Sequence, residues 1–233
     1  MKEITIVVVD DHPLFREGVV NTFSFEPDLK VIGQAANGID AVEIIRSLSP
    51  DVAVVDINLP GLNGQQVTHQ IVREKLSTRV MLLTAYDDTE QIIHAAWAGA
   101  VGYCSKDVNP EWLIRAVKEV ASGNYVIEDR IFSQQEFAHW LDQEVEKAHY
   151  LYSEPGNPFH PLSDREMEVL TCVVKGMSNK EIASSLNISH QTVKNHITSI
   201  LRKFGVEDRT QAVVYAIKRG WVKLYSKDLS SQE

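Results

Sequence analysis

Five short apolar runs recur at regular intervals over residues 4–105: "ITIVVV" (4–9), "LKVIGQA" (29–35), "DVAVVD" (51–56), "RVMLLTA" (79–85) and "VGYCS" (101–105). Near-continuous apolar runs of this length read as strands buried on both faces, as in a parallel sheet. The segments between them carry helical periodicity. Pro13 suits the first position of a helix. In "GIDAVEIIRSLSP" (38–50), Ala41, Ile44, Ile45 and Leu48 share one face, and Pro50 ends the pattern. Asp87 and Glu90 have capping-box spacing, and Asn109 stands before Pro110 in a segment that closes at Gly123. Strands alternating with helices predict a doubly wound, flavodoxin-like α/β domain with a five-stranded parallel sheet over residues 1–123.

In such folds the working site lies at the carboxyl ends of the strands. The first run ends in Asp10 and Asp11, the third in Asp56, the fourth in Thr84, and the fifth in Ser105 and Lys106. Singly, an Asp after a strand caps a helix and a Lys there is solvated. Together they place three carboxylates on one rim, where each raises the proton affinity of the others unless a cation intervenes. Only oxygen ligands are on offer, so a hard cation is expected, and Mg2+ fits best. Asp56 can then act as a nucleophile toward phosphorus, with Lys106 pairing a phosphoryl oxygen and the Thr84 hydroxyl reaching the new phosphate.

The stretches "VVVDDHPLFREGV", "VVDINLPGLNG", "LLTAYDD" and "AGAVGYCSKD" closely resemble the receiver domain of bacterial response regulators. The resemblance implies that Asp56 is the phosphoacceptor. It implies that Asp10, Asp11 and Asp56, with the backbone carbonyl of Asn58, hold Mg2+. Thr84 and Tyr103 are implied as a switch pair, and Lys106 as the phosphate-binding lysine.

Residues 161–224 are a different text. Ser163 with Glu166, Ser178 with Glu181, and Asp208 with Gln211 have capping spacing, and Ser189 is a good N-cap. Four helices are expected at about 164–175, 179–186, 190–204 and 209–219, with a short turn at Asn187 between the second and third: a helix-turn-helix pattern. On the third helix Val193, Ile197, Ile200, Leu201 and Phe204 form the buried stripe. The opposite face shows Gln191, Lys194, Asn195, Thr198, Arg202 and Lys203, with Thr192 joining the DNA-facing set. Lys and Asn suit base edges; Arg202, Lys203 and Lys180 suit phosphates. "LSDREMEVL", "GMSNKEIASSL" and "ISHQTVKNHITSILRKFGVEDRTQAV" resemble the LuxR-type helix-turn-helix of the NarL/FixJ response regulators. That resemblance implies Lys194, Asn195 and Thr198 as base readers and the last helix as a pairing element.

Charge follows the same division. Residues 1–159 carry 12 Lys/Arg against 24 Asp/Glu, and residues 160–224 carry 10 against 6. Residues 124–160 match neither pattern and are expected to form a linker, with an amphipathic helix opened by Ser133 and Glu136 and followed by the turn-rich "SEPGNPFHP"; residues 225–233 form a tail. No apolar run approaches the ~18 residues of a membrane span, and no signal segment is visible, so a cytoplasmic protein is expected. Cys104 and Cys172 read as reduced core thiols, and the eight histidines form no metal-ligand pair of known spacing. The sequence thus predicts a phosphorylation-controlled transcription regulator, not an enzyme. Its partners would be a sensor histidine kinase, operator DNA and, on activation, a second copy of itself, with no membrane. The alternatives are a receiver-based protein–protein adaptor without productive DNA binding, which a gel shift would separate, and a magnesium phosphatase, which turnover of a phosphomonoester would reveal.

Overall fold

A computed structural model of the chain describes residues 3–85, 89–152, 162–218 and 221–222. It divides into two compact units, Met1–Glu146 and Lys147–Glu233. The linker stretch 153–161, the tail 225–233 and the expected Asp87 cap lie outside the described residues.

The first unit is built on a sheet whose strands are β1 (Ile4–Val9), β2 (Leu29–Ala35), β3 (Val52–Asp56), β4 (Arg79–Thr84), β5 (Gly102–Ser105), β6 (Tyr125–Ile127) and β7 (Arg130–Phe132), in the order β2-β1-β3-β4-β5-β6-β7. The first five are parallel, and β6 adds to β5 in parallel through Gly102↔Val126 and Tyr103↔Ile127. β7 returns antiparallel to β6. The expected five strands are therefore seven, and residues 125–132, expected in a linker, extend the sheet.

Side-chain alternation sorts the strands onto two cores. Val7 and Val9 face α2 (Gly38–Leu48), α3 (Gly64–Arg73) and α4 (Thr89–Ala98), through Ala41, Ile45, Val67, Ile71, Ile92 and Ala95. Ile6 and Val8 face α1 (Pro13–Ser24) and α5 (Pro110–Ala121), through Val19, Phe23, Leu113 and Val117. Helices thus cover both faces, as parallel sheets require. The Cys104 thiol lies in the second core, where burial pushes its pKa up to about 12. Cys172, in the second unit, is half-buried.

Helix α6 (Gln134–Tyr152) opens as its sequence predicts: Ser133 N–H donates to the Glu136 carboxylate at 2.8 Å. Phe137 is buried in the first core, with Trp140 and Leu141 packed beside it. Its ring stacks on Tyr125 at 4.4 Å between centroids. The start of this helix is therefore fastened to its own sheet through the β6–β7 hairpin.

The second unit holds α7 (Asp164–Val174), α8 (Asn179–Ser185), α9 (His190–Phe204) and α10 (Arg209–Lys218) around a core of Val169, Leu170, Ile182, Val193, Ile200 and Phe204. Each bound lies within one residue of its expectation. Ser163 and Ser178 form capping boxes, and Ser189 accepts the Thr192 N–H at 3.0 Å. Asn187 takes the left-handed conformation (φ 52°) in the turn between α8 and α9, one that Asn tolerates better than most residues. Among the described residues no helix is long and apolar enough to cross a membrane.

Candidate functional site

The strand ends bring the expected carboxylates together. Asp56 closes β3, and Asp10 follows β1 directly. Both side chains are only 2% exposed, against 15% for Asp11. Lys106 follows β5, and its backbone N–H donates to the Thr84 carbonyl at 2.6 Å. Its Nζ lies 2.7 Å from Asp10 Oδ2 and 2.8 Å from Asp56 Oδ2. Asp56 Oδ1 accepts the Asn58 N–H at 3.1 Å. Gly64 lets the loop after β3 close tightly: a Cβ there would sit 2.4 Å from the Asp56 carbonyl oxygen.

Electrostatically the site is short of positive charge. Burial pushes the Asp56 carboxyl above its ordinary range; Lys106 opposes this and Asp10 adds to it. Burial works against the Lys106 ammonium too, yet Asp56 and Asp10 outweigh it and hold its pKa above the usual value. Both directions have one cause, an excess of carboxylate in a poorly solvated rim. Asp10, Asp11, His12 and Asp56 offer ligand atoms within 4.8 Å of one another. This oxygen-rich donor set, with more anionic charge than Lys106 can balance, fits a hard divalent cation.

Three neighbours went unread in the sequence. His12 Nδ1 lies 2.9 Å from Asp11 Oδ1 and 3.2 Å from Asp10 Oδ1, so one histidine does stand at the acidic cluster. Arg16 donates to the Asp10 carbonyl at 2.6 Å. The Phe15 ring lies 4.8 Å from Lys106 Nζ. His12 stands at the N-cap of α1, and Phe15 and Arg16 lie on its first turn. Adjacency to Asp11 was the available signal for His12, and helical spacing for Phe15 and Arg16.

Thr84 and Tyr103 are both buried, at 0% and 1% exposure, and line one cavity.

In the second unit Gln191, Lys194, Asn195, Thr198, Arg202 and Lys180 are exposed, and Thr192 is half-buried. Gln191 donates to Asn195 Oδ1 at 3.0 Å, and the Thr198 hydroxyl donates to the Lys194 carbonyl at 3.0 Å. Lys203 departs from the expected outward basic face. Its Nζ lies 2.6 Å from Glu166 Oε2, with the two side chains 16% and 6% exposed. Its ammonium holds the end of α9 to the start of α7.

A parallel α/β sheet with an acidic triad and a lysine at its carboxyl edge, in one chain with a helix-turn-helix unit, defines a phosphoacceptor joined to a DNA-binding module. Comparison with known proteins agrees. Residues 6–118 match the response regulator receiver domain, and residues 160–216 match the luxR family of bacterial regulatory proteins. The transcriptional regulatory protein DegU of Brevibacillus brevis is 39% identical over 95% of this chain and 96% of its own. The solved receiver domain of the putative response regulator NarL from Mycobacterium tuberculosis is 39% identical, with a TM-score of 0.52 over 53% of this chain and 99% of that one. RcsB from Salmonella enterica serovar Typhimurium, solved bound to promoter DNA, shares the fold: TM-score 0.66 at 21% identity, over 92% of this chain and 98% of that one. The chain belongs to the NarL-type response regulators, which join a receiver domain to a luxR-type DNA-binding domain. Its function is that of a phosphorylation-dependent transcription regulator of a two-component system.

Proposed function

We propose that Asp56 is the phosphoacceptor and that α9 is the helix that reads DNA. The observation that carries the first part is the convergence of Asp56, Asp10 and Lys106 at the strand ends, with contacts of 2.7 and 2.8 Å. A sensor histidine kinase supplies the phosphoryl group. An Asp56 carboxylate oxygen bonds to phosphorus, the phosphorus–nitrogen bond of the donor phosphohistidine breaks, and the imidazole leaves with a proton. Asp10, Asp11, Asp56 and the carbonyl of Asn58 are the residues that would hold Mg2+, which when bound neutralises charge on the transferring group. Lys106 exchanges its hold on Asp56 for a phosphoryl oxygen. Thr84 then hydrogen-bonds the phosphate and Tyr103 fills the space beside it, shifting the population toward a paired form of the protein.

On α9, Lys194, Asn195 and Gln191 present hydrogen-bonding ends to base edges. Thr198 has turned its hydroxyl proton inward, so it offers a methyl group, suited to thymine, and an acceptor. Arg202 and Lys180 hold phosphates, and Thr192 stands at the helix start beside them. Two copies match two half-sites about one helical turn apart. The test is labelling with acetyl phosphate in Mg2+. Asp56→Asn keeps the shape and should abolish it; undiminished labelling would place the acceptor elsewhere.

A further inference from the structure

A cavity of about 350 Å3 opens beside the switch residues of the receiver unit. Thr84, Tyr103, Val108 and Trp112 line it, together with Asp107, Glu128 and Asp129. The β6–β7 hairpin supplies one side of this space, which a sheet ending at β5 would lack. That side is fixed. Glu128 sits in the turn at φ 54°, its N–H donates to the Tyr103 carbonyl at 2.7 Å, and the Trp112 indole N–H donates to the Glu128 carbonyl at 2.7 Å.

The lining has a definite chemistry. Among the described residues it includes three carboxylates, two aromatic rings and no Lys, Arg or His, with Arg115 set against the Trp112 ring. Its volume falls within the range of small-molecule sites, roughly 300–1,000 Å3. A concave surface of one sign focuses its potential on an oppositely charged guest. Aromatic faces attract organic cations, and Trp112 already does so within the chain: the Arg115 guanidinium carbon lies 5.4 Å from its ring centroid. Anions are disfavoured by the rim, and bare metal ions by the aromatic walls. We propose that this cavity binds a small organic cation, an ammonium or guanidinium group on a flat apolar body. Resting on the switch role given above to Thr84 and Tyr103, we place its effect there: an occupant packed against the buried Tyr103 ring holds it inward, as phosphorylation does. By linkage, phosphorylation then tightens cation binding by the same factor.

The experiment is calorimetric titration of the full chain with tryptamine, and with indole-3-acetate as a control of similar shape and opposite charge. Tryptamine should saturate one site and indole-3-acetate should not bind. Asp129→Asn should weaken tryptamine about two- to fivefold, as loss of one solvent-exposed charge contact does. Val108→Trp, which fills the space, should abolish it. Beryllofluoride should strengthen binding severalfold. Absence of saturable binding to the unmodified protein, or equal binding of the two indoles, would overturn the site. Equal tryptamine affinity with and without beryllofluoride would overturn the coupling. Acetyl phosphate labelling of the same samples separates the two readings: a protein labelled at Asp56 that ignores tryptamine refutes the cavity alone, and one that binds tryptamine without labelling refutes the phosphoacceptor alone.

Discussion

Lys203→Met tests whether α9, the proposed recognition helix, is held from within. The Lys203–Glu166 contact is 2.6 Å long, and the side chains are 16% and 6% exposed. Burial works against the Glu166 carboxylate, but Lys203, the Ser199 hydroxyl and the Ser163 cap outweigh it and take its pKa from 4.5 to about 2. At about 1.4 kcal/mol for each tenfold change in proton affinity, the native fold favours the ionised form by about 3 kcal/mol. Removing one partner of a buried pair costs ~3–5 kcal/mol when the other is left charged in a dry place. With Glu166 still capped by Ser163, about 2–3 kcal/mol is expected here. Calorimetry on the full chain at neutral pH should show the transition of the second unit falling by about 10 °C or more. Glu166→Gln/Lys203→Met should recover part of the loss, giving a coupling of about 2 kcal/mol in a double-mutant cycle. The sign in pH follows from the depressed pKa. The Glu166 contribution is fully present above about pH 4.5 and fades as pH falls toward 2. The deficit of Glu166→Gln should therefore shrink over that window. A coupling below about 0.5 kcal/mol, the size of an exposed pair, would refute the reasoning.

The remaining expectations are these. Arg202→Ala should lower the salt slope of DNA binding by about one, whereas Lys203→Met should leave that slope nearly unchanged. Asn195→Ala and Lys194→Ala should each cost about 1–3 kcal/mol of discrimination between operator and random DNA in a gel shift; equal losses on both would remove them from base reading. Phe137→Ala should destabilise the first unit by about 3–4 kcal/mol in urea unfolding, because its ring is buried in the sheet's core. Sedimentation with and without beryllofluoride should show a monomer or weak dimer becoming a tighter dimer; identical distributions would sink the pairing switch.

Much of this was legible because its signals are local. Apolar runs specify buried strands directly. Side chains at their carboxyl ends must share a rim once the sheet is parallel, which is why Asp10, Asp56 and Lys106 could be placed together from spacing alone. The helices of the second unit were bounded closely because Ser163, Ser178 and Ser189 each satisfy backbone N–H groups within three residues of themselves. The β6–β7 hairpin was not legible. Each strand has three residues, too few for alternation to register, and Glu128–Asp129 is not a strong turn pair. Its formation depends on β5 beneath it and on Trp112, both distant in sequence. Lys203 was misread for a related reason. Helical periodicity gives a direction but not a reach, and a long stem can bend back to a carboxylate on another helix.

Of the ten Lys and Arg in residues 160–224, Lys203 is not alone in being engaged within its own unit. Arg165 pairs with Glu168 and donates to the Leu186 carbonyl, while Arg209 donates to the Met177 carbonyl and to Asn179. Along α8 and α9 the exposed cations are Lys180, Lys194 and Arg202. With Arg202 and Lys180 on phosphates, as proposed above, these two charges contribute a log–log salt dependence of about −2 for one copy and about −4 for two. A single copy at cellular salt would therefore hold random DNA only briefly. Two copies held together gain the product of two weak grips. Occupancy of a target would then rise with about the square of the activated concentration, making the DNA a coincidence detector that ignores stray single phosphorylation events.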